Sequence, residues 1–120
     1  PFHVDGEVLF NTFESMAANG IQHFTLALEN PNTHIYFSKK DSGLKIEVRV
    51  AADENSRLDL FGNKRNGLSG MGFVRTEDGA VLMLPNFDHT IIPSILQILS
   101  RLLYDVLGMA GGKKVKVILG

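Results

Sequence analysis

Gly43-Leu44-Lys45-Ile46-Glu47-Val48-Arg49-Val50 is the stretch that decides the fold class. Leu44, Ile46, Val48 and Val50 alternate with Lys45, Glu47 and Arg49, and a period of two puts these sets on opposite faces of a strand running from Leu44 to Ala52. One face covered by apolar packing and one face wet is the pattern of an antiparallel sheet. Upstream, Asp41-Ser42-Gly43 reads as a turn out of a strand over Thr33 to Lys40, whose Ile35 and Phe37 share the buried face. Asn30-Pro31-Asn32 is the preceding turn, and Gln22 to Glu29 repeats the alternation with Phe24, Leu26 and Leu28. Three consecutive antiparallel strands follow from these spacings.

Further out, the period changes. Leu9, Phe13, Met16 and Ala17 recur at helical spacing within Glu7 to Ala18, and Asn19-Gly20 supplies residues that tolerate a left-handed helix end. Downstream, Asp53 to Gly72 is a long connection rich in Gly and Asn around Leu58, Leu60 and Phe61. Phe73 to Thr76 and Ala80 to Leu84 flank Glu77-Asp78-Gly79, a hairpin signal, and Pro85 ends the pairing because it has no N–H. Asp88 or Thr90 caps a helix expected over Ile91 to Leu107, with Pro93 in its first turn. Ile91, Ile95, Ile98, Leu102 and Val106 form one stripe of that helix, and Ile92, Leu96, Leu99, Leu103 and Leu107 an adjacent one. So wide an apolar face exceeds what one sheet covers and predicts a second subunit against part of it. Gly108 stops the helix, Gly111-Gly112 is a hinge, and Lys113 to Leu119 reads as a last strand. The expectation is a single α+β domain over 1–120 in two layers: an antiparallel sheet of five to six strands, a short N-terminal helix and a long amphipathic C-terminal helix.

Composition narrows the function classes. Twelve Lys and Arg against 13 Asp and Glu leave a formal charge of -1, so no overall field draws in phosphate backbones or anionic lipid, and neither nucleic acid nor membrane is an expected partner. The apolar run from Ile91 is broken by Ser94, Gln97, Ser100, Arg101 and Asp105, which no membrane span tolerates. With no cysteine there is neither a disulfide nor a thiolate nucleophile, which suits a reducing compartment. The N-terminus lacks the basic and apolar regions of a signal peptide, and the expected location is the cytoplasm.

Motifs for chemistry fall short one by one. Gly62-Asn63-Lys64-Arg65-Asn66-Gly67 has the spacing of a phosphate loop, but Leu68 stands where its lysine is required. Gly70-Met71-Gly72-Phe73-Val74-Arg75 lacks the third glycine of a dinucleotide fingerprint. His23 and His34 can share the wet face of neighbouring strands, yet two histidines do not complete a zinc site. No cofactor and no metal are expected. Pro1 is the one specific catalytic candidate, since a desolvated N-terminal proline is a base near neutral pH, as in the tautomerase superfamily. Those enzymes run from the proline into a core strand, whereas Asp5-Gly6 here leads into a helix.

A family resemblance rests on the whole arrangement. The first helix, Ile35-Tyr36-Phe37, Gly43-Leu44-Lys45-Ile46-Glu47-Val48, Met71-Gly72-Phe73, Pro85-Asn86-Phe87 and a leucine-rich last helix ending at Gly108 resemble the YbjN/CesT-like group, related to type III secretion chaperones. The chain departs from it in the glycine-rich stretch before Met71 and in having Phe73 where a tryptophan is usual. The resemblance implies a small α+β fold, often dimeric, that holds a protein or peptide partner and performs no chemistry. The contacts it suggests here are Phe73, Leu82 and Leu84 on the hairpin and Ile92, Leu96, Leu99 and Leu103 on the last helix. The alternatives are a small-molecule binder or an N-terminal-proline enzyme using Pro1, and a structural subunit of a larger assembly.

Overall fold

A computed structural model describes residues 6–28, 33–50, 72–76, 79–103 and 115–119. Helix α1 spans Gly6–Ala17 and buries Leu9, Phe13 and Met16. It ends as the Asn-Gly pair predicts: Asn19 takes φ 65°, and the N–H groups of Asn19 and Gly20 return to the Met16 and Ser15 carbonyls at 3.1 and 2.7 Å. This double closure satisfies carbonyls that a helix end otherwise leaves open.

The sheet contains β1 (His23–Leu28), β2 (Thr33–Lys40), β3 (Gly43–Val50), β4 (Val74–Arg75), β5 (Gly79–Leu84) and β6 (Val115–Leu119). Its order is β4-β5-β3-β2-β1-β6, with every pairing antiparallel. Between β2 and β3 only Asp41 and Ser42 intervene, and Asp41 adopts φ 54°, the positive value that lets a two-residue turn match strand twist. The β3–β5 seam is close enough to exclude side chains at both ends. A Cβ on Gly79 would lie 1.9 Å from the Val48 carbonyl oxygen, and one on Gly43 would lie 2.3 Å from that of Leu84.

Register shows which residues share a face. Phe24, Phe37, Ile46 and Leu82 lie side by side across four strands, as do Leu26, Ile35, Val48 and Ala80. These rows form the covered face under α1 and the C-terminal helix. Phe24 stacks on Phe37 with centroids 4.7 Å apart, and Phe13 of α1 meets both edge-on at 5.2 and 5.3 Å. Thr33 is the polar exception on this face, and its hydroxyl is the one buried side-chain oxygen without a partner among the described residues. The opposite rows carry Thr25, Tyr36, Glu47 and Val81, and Ala27, His34 and Arg49.

The C-terminal helix corrects an expectation. A 3₁₀ turn takes His89–Ile91, and α2 covers Ile92–Arg101, ten residues in place of the long helix expected over Ile91 to Leu107. The cap sets its start. Asp88 accepts from the Thr90 N–H at 2.9 Å, and the Ile91 N–H bonds back to the Asp88 carbonyl, which tightens the first turn before Pro93. At the other end Leu102 and Leu103 widen into a π-type turn, and 104–107 lie outside the described residues. So do the turn at 30–32, the glycine-rich stretch from 53 to 71, the hinge at 111–112, and Pro1.

Candidate functional site

Three surfaces have the shape or chemistry to receive something. The first lies where β5 runs into α2. Pro85 stops the strand, and the chain turns through Asn86 while the Phe87 N–H bonds to the Ser42 carbonyl at 2.8 Å. This anchors α2 beside the strand end and leaves a groove of about 270 Å3 lined by Leu84, Pro85, Asn86, Ile91, Ser94, Ile95 and Ile98. Ile95 is fully buried at its floor, whereas Leu84, Ile91 and Ile98 are half-buried walls. A neighbouring concavity of about 290 Å3 shares Leu84 and Pro85 and has a polar rim of Lys40, Asp41 and Ser42.

The second surface lies at the β6 edge. Val8, Asn11, Thr12 and Ser15 from α1, Ile21 and Leu119 enclose about 270 Å3. Val8 is 45% exposed and Leu119 63%, so apolar side chains of the covered face run off the end of the sheet.

The third is the open sheet face. The Arg49 guanidinium lies 5.0 Å from the centre of the Tyr36 ring, and the His34 ring runs nearly parallel to that ring at 6.1 Å. Glu47 accepts from Arg49 Nε at 2.8 Å and lies 3.7 Å from Lys45 Nζ. The Arg49 hydrogen bond holds the Glu47 carboxyl below its ordinary value, against the opposing effect of partial burial and with help from both cations' charge. Asp88 is also held low, by hydrogen bonds from the Thr90 hydroxyl and N–H. Each of these shifts has a structural cause, an ion pair for Glu47 and a helix cap for Asp88. His89 Nδ1 meets the Glu14 carboxylate and ties the 3₁₀ turn to α1. Among the described residues no three His, Asp or Glu side chains converge as metal ligands, and no helix is long and apolar enough to cross a membrane.

The contacts expected from sequence divide into two groups. Phe73, Ile92, Leu99 and Leu103 are at most 4% exposed and belong to the core of this chain, so no partner reaches them while it is folded. Leu82, Leu84 and Leu96 are half-buried against that core, and Leu84 lines the β5–α2 groove. Pro1 lies outside the described residues. The groove walls Ile91 and Ile98 come from the other stripe of the last helix, and Val8 and Leu119 from the first helix and the last strand, where no contact was expected. Their signal in the sequence was surplus apolar character, which does not say which members stay at the surface.

Comparison with known family models, curated proteins and solved structures gives no match to this chain.

Proposed function

We propose that this chain is a non-enzymatic, chaperone-like binding domain that dimerises and holds an apolar side chain of a protein or peptide partner in the β5–α2 groove. The supporting observation is the size and lining of that groove. At about 270 Å3 it accommodates an anchoring leucine or phenylalanine. Its walls are aliphatic, and Asn86 and Ser94 at the rim can bond to a peptide backbone. Lack of cysteine fits work in the cytoplasm. The similarity to YbjN/CesT-like chaperones read from the sequence is consistent with the same activity.

Ile98 provides the test, since it is half-buried and not part of the buried floor. Fluorescence polarisation against a panel of extended peptides is expected to favour those with Leu, Ile or Phe, and Ile98→Asp is expected to weaken that binding about tenfold or more without unfolding the protein. Binding that ignores peptide hydrophobicity, or that survives Ile98→Asp, overturns the reading.

A further inference from the structure

The β5–α2 groove does not end at its own walls. The concavity beside it, of about 290 Å3, shares Leu84 and Pro85 with it and is rimmed by Lys40, Asp41 and Ser42 where β2 turns into β3. We propose that the two form one bipartite site for an extended segment of a partner polypeptide, with an aliphatic side chain in the groove and a carboxamide side chain, Gln or Asn, two residues away over Lys40 and Asp41. This inference rests on the groove reading and names the sequence class of its partner.

Three observations support it. First, the spacer between the two concavities is fixed. The Phe87 N–H bonds to the Ser42 carbonyl at 2.8 Å, and the Ser42 hydroxyl donates to the Pro85 carbonyl at 3.4 Å. Gly43 comes so close that a Cβ there would lie 2.3 and 3.2 Å from the carbonyl oxygens of Leu84 and Pro85. Two sites held in constant relation suit an extended chain, whose same-side side chains recur every second residue, about 7 Å apart. Second, the path between them lies at the surface of the chain: Lys40, Asp41, Ser42, Pro85 and Asn86 are all exposed.

Third, the rim carries one charge of each sign. Lys39 donates to the Asn19 side chain and Lys45 lies beside Glu47, whereas Lys40 and Asp41 line the concavity and have no ion-pair partner among the described residues. A lysine or glutamate side chain placed between them is attracted by one and repelled by the other. A carboxamide offers its oxygen to the Lys40 ammonium and an N–H to the Asp41 carboxylate, and it brings no net charge to be dehydrated.

The test is fluorescence polarisation of the full chain with extended peptides, each with one Leu anchor and with Gln, Glu, Lys or Ala two residues to either side of it. On one side Gln is expected to bind about fivefold tighter than Ala, with Glu and Lys close to Ala. Lys40→Met and Asp41→Asn fall at exposed positions, and asparagine accepts the φ of 54° at position 41, so both variants are expected to keep the wild-type circular dichroism spectrum and to lose the Gln preference. With one charge gone, Lys40→Met is expected to favour the Lys peptide and Asp41→Asn the Glu peptide. Ile98-dependent binding that ignores the second residue, or that favours Glu or Lys in the wild-type chain, overturns the inference and leaves the groove reading intact. Failure of every Leu peptide to bind removes the groove reading, and this inference with it. Self-association that Ile98→Asp abolishes assigns the groove to a second copy and overturns the inference as well.

Discussion

Tyr36 and Phe37 are neighbours in β2, yet they belong to different chemistries. Phe37 is fully buried, stacked on Phe24 and struck edge-on by Phe13, whereas Tyr36 is half-exposed under Arg49 and beside His34. One face of this sheet is held by packing that excludes water, the other by cations, a carboxylate and a ring that water still reaches. The contrast teaches that stability resides almost wholly on one side, so the open side is free to change its side chains at small energetic expense.

Substitutions on the two faces should therefore separate by size. The largest effect is expected at the seam on which both faces depend: Gly79→Val drives a side chain into the Val48 carbonyl and should abolish cooperative unfolding, as read by a flat thermal melt. On the covered face, Phe37→Ala should cost about 3–5 kcal/mol in urea titration, while the adjacent Tyr36→Ala should cost about 1 kcal/mol or less. A similar loss at the two positions would refute the contrast.

Thr33 sharpens the comparison from the other direction. Its hydroxyl, without a partner among the described residues, is polar where the face is otherwise apolar, so Thr33→Val should stabilise the chain by about 1 kcal/mol in the same titration. The smallest effect belongs to the open face and depends on pH. Because Glu47 has a lowered pKa in the folded chain, its contribution is present above its ordinary pKa and disappears as pH falls through the depressed value. Between neutral pH and pH 3, wild type should lose more stability than Glu47→Gln, by about 1 kcal/mol or less. Equal losses would show that the Arg49 contact contributes nothing.

Much of this architecture was legible because it depends on local period. The alternation at Leu44–Val50 identifies both faces of β3, and Asn19-Gly20 and Asp41-Ser42 mark a helix end and a turn through residues that accept positive φ. The placement of β5 beside β3 was not legible, since it depends on a close backbone approach at Gly43 and Gly79 that no single strand reveals. The same holds for α2. Its periodicity runs through Leu107, but the Asp88 cap and the π-type turn after Arg101 set the α-helical segment, and periodicity does not register backbone hydrogen bonds. For the candidate sites the sequence supplied the right residue class and mixed accessible members with buried ones. Ile98 and Ile92 differ by less than two helical turns in the chain, and only contact with the sheet decides that one is a groove wall and the other core.

The strand order also sets a timetable. β1, β2 and β3 are neighbours in sequence and in space, so their hairpins need only short loops to close. Joining Val48 to Ala80 closes a longer loop, and joining Leu26 to Val117 one roughly threefold longer again, which adds about 1 kcal/mol of closure entropy. Pulse-labelled hydrogen exchange during refolding should accordingly protect β2 and β3 amides first and β6 amides last. Until β6 arrives, the growing sheet ends at β1, and a nascent chain is then exposed to mispairing with its neighbours on the polysome.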